Sequence, residues 1–354
     1  MRIGIDASAM LVRSAGVKSY VWNWSRALSD AGVDVRLYPF LPHGLSLDHE
    51  HSPLSTPGTL LRLLAVRAGH ASPAFVDWTT PACDVFHASN QMTHLPRRAK
   101  ITATLHDFTC WRVPELHTEG NLTADRNYAQ FVLRRADGLI SVSESTRRDA
   151  IELLDLPPDR VTTIHSGVDD SFFDAAPLRR PKPYVLYLGT IEPRKNVETL
   201  LDAWNALRAD LRDAFDLVIA GPMGWAPPKI QARVRAESNY LGYVKQAELP
   251  ALTAGASLFV YPSLYEGFGF PVVQAMASSV PVITSNVSSL PEVTGDGGIL
   301  IEPKSVSQLA AAMTSLLEDE SKREQLGKRA RQHADQFRWS RCAERSVAFF
   351  EKVI

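Results

Sequence analysis

A chain of 354 residues with 45% hydrophobic residues and a net charge of -1 has the material for two ordinary domains with buried cores. The near-zero charge gives no footprint for nucleic acid, and no apolar run reaches the roughly 18 residues of a membrane span. Cys83, Cys110 and Cys342 fit neither a metal spacing nor a disulfide framework, and no leader-like apolar stretch precedes the first strand, so a cytoplasmic location is expected.

In the first half, Val- and Ile-rich runs predict strands at 2–6, 33–38, 84–88, 101–105, 138–142 and 161–165. In the second half they predict strands at 184–188, 216–220, 257–261, 281–284 and 298–301. Helical spacing fills the gaps, as in Val17, Val21, Trp24 and Leu28, or Val197, Leu200, Leu201, Trp204 and Leu207. This alternation predicts an α/β protein: Rossmann-like parallel sheets with helices on both faces. Pro177, Pro181 and Pro183 mark 173–183 as a linker between domains at 1–172 and 184–335. Residues 336–354 read as a final helix, expected to pack back toward the N-terminal domain. Ligands of such sheets bind beyond the carboxyl ends of the strands, so the expected site is a cleft between the two domains.

Candidate residues follow in chain order. Ser14-Ala15-Gly16-Val17 comes after the first strand and opens a helix. It is either a phosphate-compatible turn or a plain tight turn, since the three-glycine fingerprint is missing. Thr59–Gly69 is apolar with Arg62 and Arg67 interleaved, and reads as an ordinary amphipathic helix or as one lying on an anionic membrane surface. His106, just past the 101–105 strand, is a cleft-facing candidate or a satisfied structural histidine, and His87 is a similar one. Asp169-Asp170 reads as a turn, because no third metal ligand accompanies it. No metal or other cofactor is expected.

The loop Gly189-Thr190-Ile191-Glu192-Pro193-Arg194-Lys195-Asn196 ends a strand, with Asn196 as the expected helix N-cap. Arg194 and Lys195 therefore oppose the helix dipole, a placement that costs stability but suits a diphosphate. The alternative is a pair of solvated loop residues. In Tyr261-Pro-Ser-Leu-Tyr-Glu266-Gly267-Phe268-Gly269-Phe-Pro271, a carboxylate sits in a glycine-containing turn before a helix expected to start at Pro271. Glu266 is an exposed turn residue or an acceptor for sugar hydroxyls, and Gln274 follows on that helix.

Taken together, these segments resemble a retaining glycosyltransferase of family 4, with the GT-B fold of two Rossmann-like domains facing a central cleft. The second half carries the likeness through Gly189–Asn196, Leu241-Gly242-Tyr243-Val244, Tyr261–Gln274 and Thr284–Pro303. The first half carries it through Gly16-Val17 and Leu105-His106-Asp107-Phe108. The resemblance implies that Arg194 and Lys195 hold the donor diphosphate and that Glu266 binds the transferred sugar. It implies that backbone at Gly267, Phe268 and Gly269 contacts sugar or phosphate, and that backbone at Tyr243 and Val244 reads the base. His106 would assist the transition state, and Gly16 and Gly189 would let backbone approach the donor.

Gln274 departs from the family's second glutamate, which leaves a neutral contact to the ribose. The stretch His106–Glu115 and the Val287–Leu290 region look similar to mannosyltransferases of surface-polysaccharide assembly. GDP-mannose is therefore the expected donor, with UDP-glucose or another nucleotide hexose second. The expected acceptor is a glycan or lipid-linked sugar, reached at the inner membrane leaflet. Competing readings are a nucleotide-sugar 2-epimerase and a catalytically silent nucleotide-sugar-binding subunit.

Overall fold

The computed structural model describes residues 1–354 except 13–15, 43, 46, 48–50, 90 and 91. The chain forms two compact units, Met1–Gly167 with Trp339–Ile354, and Val168–Arg338.

In the first unit the strands are β1 (Arg2–Asp6), β2 (Asp34–Tyr38), β3 (Val85–Ala88), β4 (Lys100–Leu105), β5 (Gly138–Ser141) and β6 (Val161–Thr163). They make one parallel sheet in the order β2-β1-β3-β4-β5-β6. The helix α1 (Gly16–Asp30) buries Tyr20, Val21, Trp24 and Leu28, the apolar stripe read from the sequence. The last helix, Trp339–Val353, buries Trp339, Cys342, Phe349 and Phe350 in this unit. Its Ser346 hydroxyl accepts a hydrogen bond from the Trp24 indole at 3.0 Å. A Cβ on Gly167 would lie 2.4 Å from the Trp339 ring, so only glycine fits at that crossing. Two further helices, α2 (Thr56–Ala71) and α3 (Pro73–Thr79), lie between β2 and β3 in sequence.

The second unit holds β7 (Tyr184–Leu188), β8 (Asp216–Ala220), β9 (Asn239–Gly242), β10 (Leu258–Tyr261), β11 (Val282–Ser285) and β12 (Gly298–Ile301). Their order is β12-β11-β10-β7-β8-β9, again all parallel. Strands β7 and β10 are buried along their whole length, so their sequences are continuous apolar runs without alternation. Each such side chain contributes about 1.5–3 kcal/mol by burial. Strand β9 was not expected from the sequence. It is a short edge strand with a polar start, formed by pairing with β8 across a register shift.

The expected linker at 173–183 is corrected by this division, which falls between Gly167 and Val168. Chain from 168 onward is already tied into the second unit. The Val168 N–H bonds the Phe337 carbonyl, the Ser278 hydroxyl bonds the Phe172 carbonyl, and the Leu178 N–H bonds the Ala251 carbonyl. Proline there fixes an ordered path across the surface of the unit rather than a free hinge.

Candidate active site

In the second unit the strand order reverses between β7 and β10, which places a crevice beyond their carboxyl ends. The loop after β7 carries Glu192, Arg194 and Lys195, and the loop after β10 carries Ser263, Tyr265 and Glu266. The structure brings these side chains together. The Lys195 Nζ donates to Glu266 Oε1 at 2.6 Å and to the Tyr261 hydroxyl at 2.6 Å. The Tyr261 hydroxyl donates to Glu266 Oε1 at 3.0 Å, and Ser263 Oγ lies 2.6 Å from the same oxygen. The Arg194 guanidinium reaches Glu266 Oε2 at 3.1 Å, the Tyr265 carbonyl at 2.8 Å and Glu192 Oε1 at 2.7 Å.

Two cations therefore face two buried carboxylates. This resolves the conflict posed by Arg194 and Lys195 near a helix N-terminus, because Glu192 and Glu266 offset them. Burial alone would raise the Glu266 pKa. The charges of Lys195 and Arg194, with hydrogen bonds from Lys195 and Ser263, outweigh burial and hold it at about 2. Burial, then the Arg194 charge, lowers the Lys195 pKa against the pull of Glu266. Oxygen Oε1 of Glu266 is crowded by three protein donors, so the lone pairs left for a ligand hydroxyl are chiefly those of Oε2.

The Glu266 backbone is held from a third loop. Its N–H bonds Ser288 Oγ at 2.8 Å, and Ser289 Oγ lies 2.9 Å from the carbonyls of both Glu266 and Phe268. Gly269, at φ 102°, turns the chain into the helix Phe270–Ala277, one residue earlier than expected. Phe268 is buried, edge-on to Phe270 and Phe337. Gln274 lies beyond the first turn of that helix, half-buried, and its side chain has no hydrogen-bond partner among the described residues.

Asn196 occupies the N-cap position of the helix Val197–Asn205, but its side chain does not cap it. Instead it sits in the left-handed region at φ 55° and donates to the carbonyls of Pro262 at 2.9 Å and Pro303 at 2.5 Å. The asparagine thus ties three loops together, which is a correction to the expected cap. The loops after β7, β8 and β9 are also joined. A Cβ at Gly221 would meet the Gly189 carbonyl oxygen at 2.0 Å, and the Gly221 N–H bonds the Gly242 carbonyl at 2.7 Å. Tyr243, exposed, and Val244 follow directly.

In the first unit, His106 follows β4 with its ring edge-on to Tyr20 at 4.9 Å, and burial lowers its pKa to about 4. It is a neutral imidazole at pH 7. His87 is a core residue: its nitrogens meet Thr102 Oγ1 at 3.0 Å and Thr104 Oγ1 at 2.9 Å, and its ring packs on Trp24. Gly16 opens α1 with free space at its Cβ position, while Ser14 and Ala15 lie outside the described residues. Asp169 caps the short helix Asp170–Phe173 and Asp170 pairs with Arg338, so this acidic pair is structural. Among the described residues no group of three or more His, Cys, Asp or Glu is arranged to hold a metal ion.

Sequence reasoning missed Glu192, Tyr261, Ser263, Ser288 and Ser289 as parts of the site. Glu192 was adjacent to the two cations and could have been read as their counter-charge. The serines carried no such signal, since they act only once three loops converge.

Residues 169–333 match the model for glycosyl transferases group 1, and residues 14–172 match the model for glycosyltransferase family 4. The chain is 34% identical over 279 residues to the O-antigen chain mannosyltransferase B of Escherichia coli, covering 74% of this chain and 73% of that one. It is 30% identical to the serotype-specific mannosyltransferase WbdA of Escherichia coli over 72% of this chain, spanning only 34% of that longer protein. Sucrose-phosphate synthase from Thermosynechococcus elongatus shares the fold at a TM-score of 0.74 with 20% identity, covering 100% of this chain and 99% of the other. The lipopolysaccharide glycosyltransferase WaaG does so at 0.69 with 18% identity, over 99% of both chains. Two parallel six-stranded sheets with helices match the GT-B fold of these structures. The chain belongs to glycosyltransferase family 4 and is a hexosyltransferase.

Proposed function

We propose that the chain transfers mannose from GDP-mannose to a hydroxyl of a glycan or lipid-linked acceptor, with retention and without a metal ion. The observation that carries the chemistry is the joint hold of Lys195 and Arg194 on Glu266 beside the switch point of the second sheet. Lys195 has one N–H beyond the two it gives to Glu266 and Tyr261, and the Arg194 guanidinium lies beside it on the same carboxylate. These donors would hold the diphosphate and stabilise it as it leaves. Glu266 would orient Lys195 through Oε1 and accept a sugar hydroxyl through Oε2. Backbone at Gly189, Gly267, Phe268 and Gly269 would approach the donor, Tyr243 and Val244 would read the base, and Gln274 would meet the ribose.

In the first unit, neutral His106 would assist the transition state, and Gly16 would admit phosphate. The leaving phosphate would deprotonate the acceptor on the same face, so the protein supplies position and electrostatics. The mannosyl choice draws on the names of the curated relatives, which include an MMP alpha-(1->4)-mannosyltransferase at 31% identity over 63% of this chain. A cytoplasmic location, peripheral at the inner leaflet, fits a lipid-linked acceptor.

The test is a donor screen by thermal shift and by acceptor-free hydrolysis with GDP-mannose, UDP-glucose and UDP-N-acetylglucosamine. GDP-mannose should raise the melting temperature most, and its slow hydrolysis should vanish in Lys195→Ala. A larger shift with a uridine sugar would replace the donor. Conversion of free donor to its C2 epimer would mark an epimerase, and tight binding without turnover under any acceptor would mark a silent subunit.

A further inference from the structure

Strands β10, β7, β8 and β9 lie side by side, and each ends in a loop of different chemistry. Beyond β10 stands Glu266, beyond β7 the cations Arg194 and Lys195, beyond β8 Trp225, and beyond β9 Tyr243. Neighbouring strands are roughly 4.8 Å apart, so the row runs about 14 Å across the sheet. It offers, in order, a hydroxyl acceptor, a pair of cations and two aromatic rings. A sugar nucleotide carries its hexose, diphosphate and nucleoside in that same order.

The loop that holds Trp225 is fixed to the loop that holds the cations. The Ile191 N–H donates to the Pro222 carbonyl at 3.0 Å, and the Ile191 carbonyl accepts from the N–H groups of Gly224 at 3.2 Å and Ala226 at 3.3 Å. Trp225 therefore stands between two residues bonded to Ile191, which directly precedes Glu192 of the charged cluster. From the other side the Tyr240 hydroxyl donates to the Gly221 carbonyl at 2.9 Å, and the Gln231 amide donates to the Ala226 carbonyl at 2.8 Å. Ala226 is buried, yet Trp225 keeps 42% of its surface in water and Tyr243 keeps 38%. A single exposed aromatic is ordinary. An indole held in the open by a loop tied down on both sides, next to two cations, is a preorganised stacking surface. Glu266 lies on the far side of those cations in the row, so the hexose falls away from the indole and the base falls toward it.

We infer that Trp225 stacks on the base of the donor nucleotide and favours a purine over a pyrimidine. The purine presents the larger π-face to the indole, while backbone at Tyr243 and Val244 meets the edge of the base. Such stacking presupposes the sugar-nucleotide reading above and gives that site a residue that selects among donors.

The test is calorimetric binding of GDP, UDP and inorganic pyrophosphate to the full chain, with no acceptor present. GDP should bind the parent more tightly than UDP and quench part of its tryptophan emission. Trp225→Ala should lose about tenfold or more of the GDP affinity, less of the UDP affinity, and none of the pyrophosphate affinity. It should also lose most of the quench. Trp225→Phe, which keeps a ring, should retain most of the GDP affinity.

A Trp225→Ala chain that binds GDP as the parent does would overturn the stacking. So would a loss shared equally by GDP and pyrophosphate, which would make Trp225 a support of its loop alone. A parent that binds UDP as tightly as GDP would overturn the purine preference. These arms contain no hexose and no acceptor. A chain that binds GDP through Trp225 and transfers no sugar would therefore sink the transferase reading alone, and a Trp225→Ala enzyme with the parental donor KM would sink the stacking alone.

Discussion

Both units reverse their strand order, one between β1 and β3 and the other between β10 and β7, and each buries a carboxylate at that reversal. In the first unit it is Asp6, which accepts from the Ser8 N–H at 3.0 Å and from the Ser89 hydroxyl. In the second it is Glu266, held by Lys195, Arg194, Tyr261 and Ser263. Burial raises the Asp6 pKa, with only neutral donors to oppose it, whereas the two cations pull Glu266 down to about 2. The difference teaches that the fold supplies the crevice and the side chains decide its charge state. One crevice pushes its carboxyl toward the neutral form, and the other keeps an anion that fixes two cations.

The largest effect that would break this contrast comes from Glu266→Ala. It leaves Lys195 and Arg194 without that counter-charge in a buried place. It should cost the second unit about 3–5 kcal/mol, read from denaturant melts. Asp6→Asn should cost less than about 1 kcal/mol, since an amide oxygen still accepts from the Ser8 N–H and no charged partner is stranded. Comparable losses in the two variants would end the comparison. Next in size, Lys195→Ala should reduce transfer by roughly a hundredfold or more with a modest change in melting temperature, measured as initial rates on the preferred donor.

Acid titration sharpens the contrast by sign. The Glu266 pKa is depressed, so its contribution is present above the ordinary carboxylate value and is lost as pH falls toward 2. The Asp6 pKa is raised, so its contribution is present below the ordinary value and is lost as pH rises through the folded pKa. Melts of Glu266→Gln and Asp6→Asn against the parent across the acid range should therefore diverge in opposite directions. The smallest effect is that of Gln274→Glu, which should change the donor KM several-fold with little change in kcat. An unchanged KM would remove Gln274 from the ribose.

The layout of both sheets was legible because buried parallel strands are continuous apolar runs, as in Tyr184–Leu188 and Leu258–Tyr261. Strand β9 was not, since an edge strand is formed by its neighbour more than by its own residues. In the site, Arg194, Lys195 and Glu266 stood out as charges in glycine- and proline-marked loops. The work of Asn196 could not be read, because its partners Pro262 and Pro303 are distant in sequence and its local pattern is that of a cap. Ser289 was hidden for the same reason: its hydroxyl serves carbonyls more than twenty positions away.

The four-charge arrangement of Glu192, Arg194, Lys195 and Glu266 has a kinetic side. With its cations and carboxylates in balance, the crevice projects little field beyond a Debye length. An incoming sugar nucleotide is then selected by close contact rather than drawn in from solution. Its association rate should change little between dilute buffer and physiological ionic strength, and the spent nucleotide should leave without a net positive charge to hold it back.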